Sequence, residues 1–253
     1  MKKLNAGILI IGDEVLSGKT QDTNSNFIAK KLIESGIQLD EIKIIHDQMD
    51  AIIEDVLKFH NKYTYVFTTG GIGPTHDDIT SESIAQAFNQ KYCYHDEAYK
   101  ILENYYPKGD FNEGRKKMAR MPEHAKLIPN PLTAAPGFII KNIYVLPGVP
   151  SIMQKMFLNL LEIIEKGAPK KTITININLF ESSIALDLKI IQDNFKECSI
   201  GSYPYFNFVS KEREYYSGGV NIVVSSWTLD SLDEVVKKIQ EMTSLLGGKS
   251  SIV

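Results

Sequence analysis

Three strand-length apolar segments, residues 6–11, 39–45 and 63–67, are each followed by a segment whose apolar positions recur at helical spacing. Residues 6–11 are continuously apolar, as expected of a central parallel strand buried on both faces, whereas 39–45 and 63–67 alternate. Residues 24–34 read as a helix ending at Gly36, and Asp50 as the cap of a helix carrying Ile52, Ile53, Val56 and Leu57. Thr80 or Ser81 is predicted to cap a third helix, with Ile84, Ala85, Ala87 and Phe88 on its apolar face. This alternation predicts an α/β fold: a three-layer, open, mostly parallel sheet with right-handed crossovers. Ligands of such sheets bind at the carboxyl ends of the strands. Gly12-Asp13-Glu14 and Gly70-Gly71-Ile72-Gly73 both stand at that edge.

The stretch 68–80, TTGGIGPTHDDIT, concentrates the chemistry. Gly70, Gly71 and Gly73 let the backbone turn tightly and approach a ligand with no Cβ in the way. A glycine turn opening onto a helix N-terminus suits an anion, and the phosphate-contacting set read here is Gly12, Thr69, Gly70, Gly71, Gly73, Thr75, His76 and Thr80. Asp77 and Asp78 would repel a bare phosphate, so they make most sense holding a divalent cation, Mg or Co, that bridges to phosphate oxygens. Taken alone, the glycines also fit a plain turn with an acidic cap, and a lone loop histidine such as His76 is more often a surface residue. Asp13 and Glu14 read as a second metal- or hydroxyl-binding couple facing the same crevice, and Asp47, just beyond the second strand, joins them. Carboxylates at three strand ends are harder to explain as solvation than any one alone. Residues 12–20, GDEVLSGKT, imitate a P-loop but place five residues between the glycines instead of four, two of them acidic. No HExxH, GxSxG or nucleophilic cysteine pattern is present, so metal and water are expected to run any chemistry.

Composition restricts the function classes. With 253 residues, 43% hydrophobic and 23% charged, the chain can build one substantial core or two modest ones. A net charge of −3 gives no global attraction to nucleic acid or anionic membrane, and the cluster Arg115, Lys116, Lys117, Arg120 reads as a local solvated helix face. Cys93 and Cys198 lack any CxxC spacing, which disfavours a disulfide framework or structural zinc and suits a reducing cytoplasm. No apolar run is long enough to span a membrane, and the first segment meets Asp13-Glu14 too early for a signal peptide.

Beyond the third unit, 97–106 reads as helix, 108–114 as loop, 130–136 as proline-broken and 138–146 as a strand. Pro147-Gly148-Val149-Pro150 is a stiff turn into a helix over 151–165. The glycine, proline and charge of 167–171 mark a boundary, giving domains 1–167 and 168–253. The second domain reads as a small α+β layer: a strand over 171–179, and a helix capped by Ser182 or Ser183 bearing Ile184, Leu188, Ile191 and Phe195. Strands over 200–206 and 220–226 follow, then a helix opened by a Ser231–Glu234 capping box. Tyr203-Pro204-Tyr205-Phe206 carries enough aromatic surface to stack on a planar ring, but at least two of these rings are expected in the core.

The elements GDEVLSG, GGIGPTHDDIT, AAPGF and LPGVP resemble the molybdopterin-binding (MoaB/Mog-like) domain, and more narrowly competence/damage-inducible protein A and the molybdopterin-binding-like domain of FAD synthase. The resemblance covers residues 1–165, and the segments around Ser183-Ile184-Ala185 and 200–204 look like the region that follows in the FAD synthase group. It implies a ligand whose phosphate or pyrophosphate sits at the glycine turn, with Gly148 of LPGVP beside it. In the adenylyltransferases of this family two aspartates serve metal-dependent adenylyl transfer; the matching positions are Asp47 and Asp78, with His46 standing where relatives usually carry proline. The competence-protein and FAD synthase relatives are associated instead with hydrolysing ADP-ribose or FAD, and they share the added His76-Asp77, which tips the expectation toward a nucleotide pyrophosphatase. Asp78, Asp47 and Asp77 are then the catalytic set, and Asp13, Glu14, Asp77 and Asp78 the metal set.

The alternatives are a molybdopterin-binding or adenylyl-transferring protein of molybdenum cofactor biosynthesis, and a non-catalytic pterin or nucleotide module. A nucleotide or pterin ligand, no nucleic acid, no membrane and a homodimer or homotrimer are expected. A chain ending at this point lacks the deamidase and synthetase domains of longer relatives, so nicotinamide-nucleotide deamidation and FAD synthesis are not expected. Leu132 stands where relatives often have glycine.

Overall fold

The computed structural model describes residues 4–208 and 216–253, and these divide into two compact units, Met1–Gly167 and Ala168–Val253. In chain order the first holds β1 (Asn5–Ile11), α1 (Asp13–Leu16), α2 (Asn24–Glu34), β2 (Gln38–Ile45), α3 (Met49–Lys62), β3 (Tyr65–Thr69) and α4 (Thr80–Ala87). An excursion follows through β4 (Tyr92–Tyr94), α5 (Asp96–Tyr105), α6 (Glu113–Lys117) and β5 (Arg120–Pro122), and then β6 (Lys126–Ile128), β7 (Gly137–Ile140), β8 (Ile143–Leu146) and α7 (Pro150–Leu161). The six-stranded sheet has the order β2-β1-β3-β8-β7-β6. Its first four strands run parallel and β7 alone is reversed, pairing antiparallel with both β8 and β6, which confirms the mostly parallel α/β class. Leu9, Ile52, Val56, Phe59 and Ile84 form the core beneath α3 and α4, while Ile8, Ile28, Leu32, Phe67 and Phe157 form the one beneath α2 and α7. Two cores sharing one sheet make the three layers.

Side-chain alternation explains the division. Val66 and Thr68 face one core, and Tyr65, Phe67 and Thr69 the opposite side of the sheet. Phe67 is fully buried, with its ring edge-on to Phe157 at 5.1 Å and tilted against Tyr144 at 5.3 Å.

The region expected as one strand, 138–146, is a hairpin. Lys141 turns it with φ 55°, and the Asn142 amide anchors the turn by donating to the carbonyls of His60 (3.1 Å) and Tyr63 (2.7 Å). Several caps also differ from expectation. Asp50 lies inside the first turn of α3, behind the cap Gln48. Thr80 is the first residue of α4 and is fully buried, with Ile79 at the cap. Ser182 and Ser183 fall inside α8 (Glu181–Asn194). None of these three helices has a side-chain hydrogen bond at its N-cap.

The second unit continues with β9 (Lys171–Ile177), α8, β10 (Cys198–Phe208), β11 (Tyr216–Ser226), α9 (Leu229–Leu245) and β12 (Ser250–Ile252). Its antiparallel sheet has the order β10-β11-β9-β12. Ile175, Ile177, Val220, Ile222 and Val224 meet Ile184 and Leu188 of α8 and Val235 and Ile239 of α9 in its core. α9 starts after Thr228, so Ser231 and Glu234 lie within it and form no capping box. The aromatic strand departs from expectation as well. Tyr203 and Phe206 are exposed, and half-buried Tyr205 shares a hydrogen bond with Asn176. Tyr203 is in register with Asn221 and Asn176, on the face turned away from the buried isoleucines.

Replacing Phe67 by alanine opens a cavity under α7, and chemical denaturation is expected to show a loss of about 3–5 kcal/mol. A loss below about 1 kcal/mol would contradict the burial described for this ring.

Candidate functional site

The carboxyl ends of β1, β2, β3 and β8 meet around a cavity of about 530 Å³. Backbone bonds tie these ends together: the Gly12 amide donates to the Ile45 carbonyl at 3.2 Å and the Gly70 amide to the Leu146 carbonyl at 3.1 Å. Gly70 has φ 104°, and a Cβ there would stand 2.1 Å from the Ile11 carbonyl oxygen. Gly71 has φ 68°, and its Cβ would meet the Thr80 hydroxyl at 2.1 Å. Both positions therefore demand glycine, for conformation and for space. Among the described residues, the amides of Gly71, Ile72 and Gly73 donate to no group of the chain. They are the unengaged donors of the turn.

Four carboxylate residues line the same cavity: Glu14, Asp47, Asp77 and Asp78. Each is positioned by something local. A Cβ on Gly12 would lie 2.5 Å from the Glu14 carboxylate, so the bare glycine leaves room for Glu14 to fold back. The Asp78 carboxylate packs on Gly73 in the same way, and one of its oxygens accepts from both the Thr75 amide (2.8 Å) and the Thr75 hydroxyl. Asp47 accepts the Asp13 amide at 2.9 Å. Burial pushes the Asp47 carboxyl above its ordinary range; the Asp13 amide opposes this, and the charges of Glu14, Asp13 and Asp77 add to it. Exposed Asp77 moves the other way, held down by the nearby Thr75 side chain and its own amide, with His76 and Lys117 adding.

The remaining site candidates are placed less uniformly. Asp13 does not line the cavity; it is exposed and bonds His46 Nδ1 at 2.7 Å. The His76 side chain is almost fully exposed, with its Nδ1 3.9 Å from Asp77. Thr69 and Thr80 are buried beneath the turn, and neither hydroxyl has a partner among the described residues. Gly148 lines the cavity beside the turn: a Cβ there would lie 3.4 Å from the Gly70 Cα, and its carbonyl accepts the Asn24 amide at 2.8 Å.

Some lining residues escaped the sequence reading. Met118, Val149 and Ile152 supply an apolar wall, and Thr20 and Asn130 supply polar groups. Asn130 organises its loop by accepting the amides of Leu132 and Thr133 and donating to the Ala135 carbonyl, while Ala134 takes a positive φ of 62°. The Asn-Pro pair at 130–131 was the available signal. Exposed Leu132 does not line the cavity, so its departure from glycine leaves the wall intact. Residues 12–20, the P-loop look-alike, fold as the single turn α1, which carries Glu14 and brings Thr20 to the cavity.

Among the described residues no group of three or more His, Cys, Asp or Glu side chains is arranged to hold a metal ion. No helix among the described residues is long and apolar enough to cross a membrane.

Comparison with known proteins agrees with this architecture. Residues 7–166 match the family described as "Probable molybdopterin binding domain", and residues 170–246 match "FAD synthase, middle domain". A protein of Archaeoglobus fulgidus is 37% identical over 203 residues, covering 80% of this chain and 86% of its own. A CinA-like protein of Sulfurihydrogenibium is 32% identical across 94% of this chain and 58% of its own, and a probable FAD synthase of Caenorhabditis elegans 27% identical across 95% and 50%. The chain thus spans about half the length of these last two relatives. The crystal structure of the CinA protein from Thermoplasma acidophilum superposes with a TM-score of 0.60 at 32% identity, covering 64% of this chain and 98% of that one. With the site built on the segment that carries the first match, the chain belongs to the probable molybdopterin binding domain family, and CinA and FAD synthase proteins are among its relatives.

Proposed function

We propose that this protein hydrolyses nucleotide pyrophosphates such as ADP-ribose or FAD, releasing AMP in the presence of a divalent cation. The observation that carries the reading is the pairing, in one cavity, of unengaged amides at Gly71, Ile72 and Gly73 with the carboxylates of Glu14, Asp47, Asp77 and Asp78. Amides alone suit a phosphate; four carboxylates beside it do not, unless a cation stands between them. Asp77 and Asp78 would hold that cation, with Glu14 and Asp47 lining the same cavity. When bound, the cation neutralises phosphate charge and acidifies water. The turn amides orient the pyrophosphate, and Met118, Val149 and Ile152 cover one face of a planar ring while excluding water. Addition of water across the P–O–P bridge breaks one P–O bond and yields AMP and a second phosphate product.

A second reading rests on the family match. A pterin phosphate bound in the same cavity would make the protein a molybdopterin carrier or adenylyltransferase. Pterin fluorescence in the freshly purified protein would favour it.

Chromatography of reactions with ADP-ribose and with FAD is expected to show AMP only when Mg²⁺ or Co²⁺ is present. Asp78→Asn is expected to slow its release by about a hundredfold or more. Unchanged release by this variant would remove Asp78 from the mechanism.

The raised Asp47 carboxyl has a stability consequence of defined sign. A group whose pKa is higher folded than unfolded contributes stability below its unfolded value, about 3.9, and loses it as pH rises through the folded value. Asp47→Asn still accepts the Asp13 amide but removes this loss. It is expected to melt above the wild type at pH 7, with the difference shrinking on acidification below about pH 4. A variant that melts lower at neutral pH would show that the Asp47 charge is net stabilising.

A further inference from the structure

No lysine or arginine lines the cavity, although its proposed occupant carries phosphate. The ammonium that touches the cavity's rim belongs to Lys117. Its Nζ donates to the carbonyl of Thr75, the residue whose amide and hydroxyl hold Asp78. This contact is built in by the local fold. Asn112 caps α6 by accepting the Arg115 amide at 3.0 Å, and Gly114 sits so close to the rim that a Cβ there would be 3.4 Å from the Pro74 carbonyl oxygen. α6 is therefore seated on the loop 74–78, and the residue after Lys117, Met118, reaches the cavity wall.

Lys117 also differs from the other hydrogen-bonded lysines. Lys31, Lys43, Lys62, Lys116, Lys189 and Lys238 each donate to a carboxylate, whereas half-buried Lys117 is bonded to a neutral carbonyl. Its charge is held beside the acidic rim without a direct ion pair among the described residues. A flexible four-carbon stem lets an ammonium exchange a carbonyl for a stronger acceptor at small cost, and a phosphate oxygen is such an acceptor.

We propose that Lys117 is a phosphate-binding residue of this site, leaving the Thr75 carbonyl to engage the pyrophosphate of the bound nucleotide beside Asp77 and Asp78. The inference rests on the reading of the cavity as a nucleotide-pyrophosphate site and adds a cation of the chain's own to it. It also gives α6 a task beyond packing, since that helix delivers the charge.

Isothermal titration with inorganic pyrophosphate and with a non-hydrolysable methylene-bridged analogue of ADP-ribose, both with Mg²⁺, tests it on wild type, Lys117→Met and Lys117→Arg, with thermal melting alongside. Lys117→Met is expected to bind both ligands about tenfold or more weakly, the effect of one charge-assisted hydrogen bond, while melting within a few degrees of wild type. Lys117→Arg is expected to restore binding to within about threefold, because the charge is kept. Wild-type affinity in Lys117→Met would overturn the assignment alone. So would a loss in both variants accompanied by a large drop in melting temperature, which would mark the contact as structural. Wild-type protein that binds neither ligand would overturn the assignment together with the pyrophosphate reading, and is distinguishable because no variant is needed to see it.

Discussion

The approach of three backbone segments at Gly70 is the constraint on which the rest of the site depends. The Ile11 carbonyl comes to where a Cβ would stand, the Leu146 carbonyl accepts the Gly70 amide, and Gly148 packs on the Gly70 Cα. Any side chain at 70 would force apart the ends of β1, β3 and β8. That separation would in turn release the Gly71–Gly73 amides, Thr80 at the start of α4 and the wall leading into α7. The parallel sheet brings these ends together, and glycine lets them close to contact distance.

Around this point the chain assembles opposed charges at modest cost. Partly buried Asp47 is the carboxylate with the clearest desolvation penalty, and an amide donor from Asp13 offsets part of it. Asp78 is held by two donors from Thr75, and Lys117 fastens that same residue from behind. Glycine at 12 and 73 gives two of the carboxylates space to lie flat against the turn. The result is an acidic rim in the same cavity as turn amides that, among the described residues, donate to no group of the chain.

Much of this was legible in the sequence because it is local. Alternation and helical period disclosed β1, β2, β3 and the helices between them, and the strand-end positions of Glu14, Asp47 and Asp78 followed from the sheet type. The unseen parts depend on contacts distant in sequence. Whether 138–146 is one strand or a hairpin was decided by Asn142 bonding to the end of α3, about 80 residues earlier by the sequence numbering. Helix starts at Thr80, Glu181 and Leu229 carry no side-chain cap hydrogen bond, so the Ser and Thr residues nearby misplaced them. Asp13 and Glu14 looked equivalent as neighbours, but the turn of α1 sends one to His46 and the other to the cavity. Tyr203 and Phe206 show the limit of composition, since aromatic strand residues predicted for a core are exposed.

In the proposed function, cation and phosphate occupy the cavity jointly. The most direct measurement is calorimetric titration of Mg²⁺ into the protein with and without saturating AMP, a product that keeps the phosphate but cannot be hydrolysed further at a pyrophosphate bond. Binding is expected to be weak alone and strengthened by about tenfold or more when AMP is present, with AMP affinity raised by the same factor in the reciprocal titration. Tight Mg²⁺ binding that ignores the nucleotide, or no coupling in either direction, would contradict the claim.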